Sequence, residues 1–327
     1  MADTNFETLA KLGNTFMPHA DSARKDLMAG GGQLAYYTTA DTAVKMITNN
    51  EFWLRDSRVM NDYTEVRRGI GIVTQHFLDP ALRAEFIAAV DACHPGVADE
   101  ALTKFMDLRS HAADGTYLMS LSRHHADKSK GEDEDEYGRL SMWRAYGKGT
   151  GVALVFQLPD KTQPNPSMAF LSPVAYLEDV RAEMKKLIAN IKLNQTFITA
   201  QDRTQVFYAV CAMLVMASVC LKHPGFREED EWRILHMPNI YPSPGGLLKF
   251  PIKTIDGIPQ KICVMNLADI EKAGMTGLTL NALIRRVIIG PTAYPDTIAD
   301  AMVAAITEAG FTDPGKRIHK SYIPLRV

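Results

Sequence analysis

The hydrophobic and polar positions of this chain change repeatedly between the spacing of a strand and the spacing of a helix. Short alternating or β-branched runs predict strands at 34–39, 51–56, 116–122, 152–156, 231–237, 261–265, 286–290 and 321–326. Helical spacing between these runs predicts helices at 42–50, 64–77, 81–110, 176–223 and 296–309, with one or two helices expected in 81–110 and two in 176–223. The two periods do not alternate strictly, so the pattern predicts an α+β fold.

The domain organisation follows from where this pattern begins and where it is interrupted. Residues 1–32 are polar and end in A-G-G-G, which predicts a flexible or helical N-terminal extension. Residues 33–327 are expected to form a single elaborated domain with a helical insertion at about 172–223. The apolar run 206–221 has 16 residues without a charge. A membrane span needs about 20 such residues, so we expect a buried helix and no membrane association.

Composition narrows the class of protein. The 327 residues are 46% hydrophobic and 23% charged, with 36 Lys and Arg against 38 Asp and Glu. The resulting formal charge of -2 disfavours a broad surface for binding polyanions. The four cysteines lie far apart, which predicts neither a disulfide framework nor a zinc site. The N-terminus lacks the apolar core of an export signal, so a cytoplasmic protein without a metal is expected.

The common catalytic motifs are missing from the sequence, so candidate chemistry comes from two short segments. The first is F-R-E-E-D-E-W-R at 226–233. At the entry to a strand, Glu229 and Glu231 would project to the same face. Two carboxylates so close are costly unless a cation or hydrogen-bond donor faces them, or one is protonated. The alternative is a solvated acidic turn, in which Arg233 pairs with a neighbouring carboxylate.

The second segment is S-M-W-R-A-Y-G at 141–147. On a helical turn Trp143 and Tyr146 lie on one side, where they would form either a wall for a ligand ring or part of the core. A dense run of charges at 128–138, K-S-K-G-E-D-E-D-E-Y-G, predicts a mobile surface loop.

Taken in order, several pieces of the chain resemble a bacterial family known as a domain of unknown function. The pieces are L-A-Y-Y-T-T (34–39), F-W-L-R-D-S-R-V-M-N-D (52–62), S-L-S (120–122), S-M-W-R-A-Y-G-K-G-T-G-V-A-L-V-F (141–156), F-R-E-E-D-E-W-R (226–233), R-V-I-I-G-P (286–291) and S-Y-I-P-L-R (321–326). The resemblance covers about residues 33–327. The order of elements also resembles the ADP-ribosyltransferase superfamily, which includes bacterial toxins and phage-defence effectors.

This second resemblance implies a split, mostly antiparallel sheet that clamps NAD as substrate, with substantial helical insertions. It implies an NAD-dependent ADP-ribosyltransferase or NAD glycohydrolase-like effector, in phage defence or a toxin–antitoxin pair. The matching positions are Tyr36 and Thr38 on an early strand, Ser120 and Ser122 on a middle strand, and Glu229 and Glu231 on a late one. Relatives carry His where this chain has Tyr36, which donates a hydrogen bond but supplies no cation.

The resemblance also implies a role for each polar group. Glu231 would hold the ribose 2′-hydroxyl and stabilise the developing sugar cation, and Glu229 would orient or deprotonate the acceptor. Arg144 or Arg233 would bind pyrophosphate, and Trp143 or Tyr146 would stack on a ring. Glu231→Gln is then expected to abolish NAD turnover at little cost in stability, and Trp143→Ala to weaken ligand binding.

Two other classes of function stay open. One is a nucleic-acid-directed or nucleotide-directed effector, whose basic groove would be drawn from Arg55, Arg58, Arg67, Arg68 and Arg144. The other is a non-catalytic sensor or interaction module, in which Glu229 and Glu231 pair with arginines. Tyr36 in place of His favours the sensor. The partner expected from these readings is a nucleotide, and the acceptor of an ADP-ribosyl group is not identified by the sequence.

Overall fold

A computed structural model describes residues 2–60, 64–125, 133–159, 165, 167–255 and 257–324. The helices of this part of the chain are α1 Ala2–Phe16, α2 Pro18–Ala29, α3 Ala40–Asn49, α4 Glu65–Leu78, α5 Pro80–Asp91, α6 Val97–Asp114, α7 Glu134–Tyr137, α8 Leu140–Tyr146, α9 Val180–Leu193, α10 Gln195–Thr199, α11 Arg203–Val219, α12 Leu280–Leu283, α13 Pro295–Glu308 and α14 Pro314–Arg317. The strands are β1 Gln33–Thr39, β2 Glu51–Asp56, β3 Tyr117–Arg123, β4 Thr150–Gln157, β5 Phe170–Pro173, β6 Glu231–His236, β7 Leu248–Lys249, β8 Ile252–Ile255, β9 Ile258–Asn266, β10 Ile284–Thr292 and β11 Ile318–Lys320.

The strands build an open, mostly antiparallel sheet in the order β11-β10-β4-β1-β3-β2-β9-β7. Strand β6 pairs with β3 and β5, and β8 pairs with β9. Strands β10 and β11 run parallel, whereas the other described pairs are antiparallel. The prediction of an α+β fold with a mostly antiparallel sheet is confirmed.

The sheet opens at the middle of β3. One edge of β3 pairs with β6 from Tyr117 to Ser122. On its other edge, β2 pairs with Tyr117 and Leu118, while β1 pairs with Ser122 and Arg123. Strands β1 and β2 therefore diverge from opposite ends of β3. The gap between them positions the cavity described below.

The core consists of three hydrophobic clusters. The largest lies in the layer formed mainly by α1, α4, α5, α6, α9 and α11. The second packs α3 and α13 on one face of the sheet, and the third packs α8 on the other. Side chains alternate along β4, so Val152 and Leu154 enter the second cluster and Ala153 and Val155 enter the third. No helix in the described residues is long and apolar enough to cross a membrane.

The N-terminal segment forms α1 and α2, and several of its apolar side chains pack inside the protein. Leu12 and Phe16 belong to the first cluster, in the helical layer, and Leu27 belongs to the second cluster, which includes α3 and α13. Gly31 and Gly32 follow α2 with positive φ values of 98° and 66°, a conformation that glycine adopts at little cost.

The expectation of a mobile charged loop at 128–138 is wrong for its described part. Residues 133–138 include the short helix α7, and Asp135 on this helix is buried. His124 Nε2 and Arg285 Nη1 lie 2.9 Å and 2.7 Å from Asp135 Oδ1. Asp135, and Glu134 through Arg139, are therefore paired within the fold. Residues 128–132 lie outside the described residues.

Two predicted elements also differ in extent. The region 176–223 holds three helices rather than two, because Asp202 caps a separate α11 by accepting from the backbone N–H groups of Thr204 and Gln205. The strand predicted at 321–326 is wrong for its described part, 321–324, because β11 ends at Lys320. Tyr322 then adopts a φ of 49°, and Pro324 has no N–H to donate to a ladder. Residues 325 and 326 are outside the described part.

Candidate functional site

A cavity of about 300 Å³ lies at the opening of the sheet. Most of the residues predicted to form a site line it: Tyr36, Thr38, Ser120, Ser122, Tyr146, Glu229, Glu231 and Arg233. They reach it from β1, β3, the C-terminal end of α8, the 3-10 helix Pro224–Glu229 and β6, which carries Glu231 and Arg233. The volume is near the lower limit of small-molecule sites, which measure roughly 300–1,000 Å³.

Two predicted residues do not face this cavity. The expectation that Trp143 forms a ring-binding wall is wrong, because its side chain is 3% exposed and packs edge-on against Tyr37, with ring centroids 4.7 Å apart. Trp143 Nε1 donates to the carbonyl of Tyr137 at 2.7 Å, so the one hydrogen-bond donor of the indole already has a partner within the protein. Arg144 is exposed and is not among the residues that line the cavity.

Five charged residues form the floor of the cavity: Glu65, Lys222, Glu229, Glu231 and Arg233, hereafter the floor cluster. Lys222 Nζ lies 3.1 Å from Glu65 Oε1, 2.7 Å from Glu229 Oε2 and 3.0 Å from Glu231 Oε2. Arg233 holds Glu231 through Nε–Oε1 at 2.8 Å and Nη2–Oε2 at 3.1 Å, and it also binds Glu65. Three carboxylates thus face two cations, which leaves a formal charge of −1.

Glu231 is the most constrained member of the floor cluster. Ser120 Oγ donates to its Oε1 at 2.6 Å, so each carboxylate oxygen accepts from two donors. Burial raises the pKa of Glu231, but attraction to Arg233 and Lys222 and the hydrogen bonds from Arg233 and Ser120 outweigh it and lower the pKa to about 2. A carboxylate has about four acceptor positions. Glu231 is therefore ionised and has no lone pair left for a ligand.

Glu229 is held much less tightly. Among the described residues, Lys222 is its one ionic partner, and its side chain is 17% exposed. Burial raises the pKa of Glu229, the ion pair with Lys222 opposes this change, and the negative charges of Glu231 and Glu65 add to it. The pKa of Glu229 is therefore raised where that of Glu231 is lowered, so Glu229 is the more readily protonated of the two carboxylates.

Lys222 remains a cation in this setting. Burial alone would lower its pKa, but Glu231, Glu65 and Glu229 together raise it above the ordinary value for lysine. The amine is therefore protonated and cannot attack a carbon atom as a nucleophile. Its role in the floor cluster is to pair with three carboxylates and, together with Arg233, to offset part of their charge.

The walls of the cavity carry aromatic rings and hydroxyl groups. Burial, with the negative charge of Glu229 nearby, raises the pKa of Tyr146 to about 12, so its phenol stays neutral. Ser122 is 1% exposed, and its Oγ has no hydrogen-bond partner among the described residues. Buried hydroxyl groups normally have a partner, so Ser122 is a group that a ligand hydroxyl in the cavity would satisfy.

Sequence reasoning missed Lys222 and Glu65 as members of the site. Lys222 has a local signal, since it is the first charge after the uncharged run 206–221 and lies shortly before the acidic segment. Glu65 has none, because it starts α4 and lies 168 residues from Arg233 along the chain. Only the tertiary fold brings them together.

The arginines proposed for a nucleic-acid groove are partly neutralised by carboxylates. Arg58 Nη2 lies 2.6 Å from Asp56 Oδ2, and Arg67 Nη2 lies 2.9 Å from Asp114 Oδ1. Arg55 lines the cavity and donates to Gln260. These pairings reduce the positive charge available to a polyanion.

Residues 142–234 match the family model described as a protein of unknown function (DUF2971). The matched segment extends from α8 to β6 and includes Tyr146, Lys222, Glu229, Glu231 and Arg233. The match carries no activity and no relationship to ADP-ribosyltransferases. No curated protein and no solved structure is significantly similar to the chain.

Proposed function

We propose that the cavity binds NAD and that the protein cleaves the bond between nicotinamide and ribose, as an NAD glycohydrolase or an ADP-ribosyltransferase. The observation that carries the proposal is the convergence of Tyr36 on β1, Ser122 on β3 and Glu229 before β6 on one cavity of about 300 Å³. A cavity of this volume suits the nicotinamide-ribose half of the dinucleotide.

The charge and chemistry of the cavity support this assignment. Cleavage develops positive charge on the ribose, and a fixed negative site stabilises such a charge most strongly where water is excluded. The floor cluster, with its formal charge of −1, supplies such a negative site. The rings of Tyr36 and Tyr146 offer flat surfaces for nicotinamide, and Ser122 offers a hydroxyl to a ribose hydroxyl.

In this proposal Glu229, rather than Glu231, takes part in the reaction. The bond between C1′ and the nicotinamide nitrogen breaks, and its electron pair leaves with nicotinamide. A water molecule, or a hydroxyl of an acceptor, attacks C1′ and gives its proton to the carboxylate of Glu229. Glu231 already accepts four hydrogen bonds and instead keeps Lys222 and Arg233 in place.

Glu229→Gln is expected to lower NAD turnover by about 10²–10⁴-fold, because the amide cannot accept the proton. The assay follows free nicotinamide from purified protein and NAD, with and without a macromolecular acceptor. Glu228→Gln is the matched control, since Glu228 is the exposed neighbour of Glu229 and does not line the cavity. Equal turnover in the two variants would contradict the role of Glu229, and no nicotinamide from the wild-type protein would contradict the proposed reaction.

The pH dependence of turnover provides a second check. Glu229 must be ionised to accept a proton, and burial raises its pKa above the ordinary value for glutamate. We therefore expect kcat/KM to be retained above that raised pKa and lost as the pH falls through it. The acidic limb should lie at higher pH than that of an exposed glutamate, and Glu229→Gln should remove it from the residual activity. A limb at or below pH 4 would argue against Glu229.

A non-catalytic NAD sensor is the second candidate, and the saturation of Glu231 favours it. A carboxylate that accepts four hydrogen bonds is typical of a structural ion-pair network. The sensor predicts that NAD binds and raises the melting temperature without release of nicotinamide. Calorimetry with NAD, run beside the nicotinamide assay, distinguishes the two functions.

A further inference from the structure

Arg139 lies directly before α8, and its side chain is 11% exposed. Nε donates to Glu134 Oε1 at 2.7 Å, and Nη2 donates to Glu134 Oε2 at 3.3 Å and to the carbonyl of Arg123 at 2.7 Å. Nη1 donates to the carbonyls of Glu228 and Glu229 at 2.9 Å and 2.8 Å. Five hydrogen bonds engage the five donors of the guanidinium group.

The two carbonyls bound by Nη1 are at the C-terminal end of the 3-10 helix Pro224–Glu229. The last carbonyls of a helix lack partners within it. Asp230 follows with φ 42° and ψ 53°, a left-handed conformation that costs energy for residues other than glycine. The turn between Glu229 and β6 therefore depends on donors from outside the segment, and Arg139 supplies two of them.

The remaining contacts connect this turn to the other walls of the cavity. The carbonyl of Arg123 ends β3, which carries Ser120 and Ser122. The backbone N–H of Arg139 donates to Tyr37 Oη on β1 at 2.8 Å. Helix α8 starts one residue after Arg139 and ends at Tyr146. Arg139 therefore joins four elements that surround the cavity, namely the 3-10 helix, β3, β1 and α8, although Arg139 itself does not line the cavity.

We propose that Arg139 is a positioning residue that, by binding the backbone at Glu228 and Glu229, holds the carboxylate of Glu229 in place beside Lys222 in the floor cluster. Its planar fork binds two consecutive carbonyl oxygens, which a lysine cannot do with the same geometry. The inference rests on the proposed reactive role of Glu229.

The test compares Arg139→Lys and Arg139→Gln with the wild-type protein. A displacement of about 1 Å can cost about 100-fold in rate. We expect kcat for nicotinamide release to fall by about 10–100-fold, more in Arg139→Gln than in Arg139→Lys, with little change in KM. The matched control is Arg317→Gln, because Arg317 also donates to two backbone carbonyls, those of Asn281 and Ile284, and does not line the cavity. It should leave kcat unchanged.

A readout that needs no turnover separates failure of this inference from failure of the proposed function. Hydrogen exchange at the amides of Asp230 and Glu231 should be about tenfold faster in Arg139→Gln, because their turn is released. In Arg139→Gln, the pKa of Glu229 measured by a ¹³C-detected titration should move toward the ordinary glutamate value. The reason is that Lys222, Glu65, Glu231 and Tyr146 face the carboxylate only while it is held.

Each outcome bears on the inference. Unchanged exchange and an unchanged titration in both variants would overturn it, whatever the activity. If the wild-type protein releases no nicotinamide but the exchange and titration respond, the proposed reaction fails while Arg139 keeps its positioning role. If Arg139→Gln does not fold, Arg139→Lys decides, since it keeps the charge and loses the fork.

Discussion

Glu231→Gln is expected to lower the free energy of unfolding by about 3–5 kcal/mol, the usual cost of removing one partner from a buried ion pair. The side chain of Glu231 is 3% exposed, and every group around it is a donor, from Ser120, Lys222 or Arg233. The glutamine NH₂ group would have to face one of these donors, because it cannot accept a hydrogen bond. Thermal and denaturant unfolding measure the loss, which corresponds to about 4–7 °C in Tm for a chain of 327 residues.

The same substitution should change the acid sensitivity of the fold. The pKa of Glu231 is about 2 in the folded protein, against a reference value of 4.5. Because the folded pKa is the lower one, its contribution to stability is present above pH 4.5 and is lost as the pH falls toward 2. Glu231→Gln should therefore weaken the pH dependence of unfolding in this window.

Controls for this prediction use neighbouring positions. Glu228→Gln should change stability by less than about 0.5 kcal/mol, because Glu228 is exposed. The pair Glu231→Leu and Arg233→Met should recover part of the loss, because replacing a buried ion pair by apolar groups is often neutral. An unchanged melting temperature in Glu231→Gln alone would contradict this prediction, support the expectation from sequence and show that the ion pairs of Glu231 add little stability.

Trp143→Ala is expected to cost about 3–5 kcal/mol of unfolding free energy, as for other large aromatic residues in cores. The indole fills the space between Tyr37 and the glycines of β4 and β10, and its Nε1 hydrogen bond to Tyr137 would also be lost. Binding of NAD by the folded fraction should be little affected, because Trp143 does not line the cavity. Denaturant unfolding and calorimetry on the same samples check both parts.

Gly290→Ala tests the packing around Trp143 from the opposite side. A Cβ atom at position 290 would lie 2.6 Å from Trp143 Cε3, which is closer than a van der Waals contact. We expect a loss of about 1–3 kcal/mol from overpacking. This loss should largely disappear when Gly290→Ala is combined with Trp143→Ala, since the double variant removes the clash. Additive losses would mean that the two residues do not share this contact.

The local elements were largely predictable because each depends on its own stretch of sequence. The run 51–56 coincides with β2, and 34–39 and 152–156 lie within β1 and β4, since alternating β-branched and aromatic residues favour a pleated surface. Glu229, Glu231, Ser120 and Ser122 were placed together through the resemblance, and the structure brings them to one cavity. Their roles within it were not predictable in the same way.

The resemblance assigned the reaction to Glu231 because of its place at the entry to β6. The structure gives all four of its acceptor positions to Ser120, Lys222 and Arg233, and leaves Glu229 as the less constrained carboxylate. This reversal depends on how many donors reach each oxygen atom. That number is a property of packing, and residue spacing does not encode it.

By itself the sequence determined the periodicity of the chain, and with it the strands, most helices and the α+β class, because a side chain's preference for water or core acts locally. It also determined which residue types are available for chemistry. The tertiary structure alone decided that Trp143 lies in the core, that Lys222 and Glu65 join the floor cluster, and that Arg139 holds the turn before β6. Most of those contacts join residues distant along the chain, so they form, and contribute energy, only when the chain has folded.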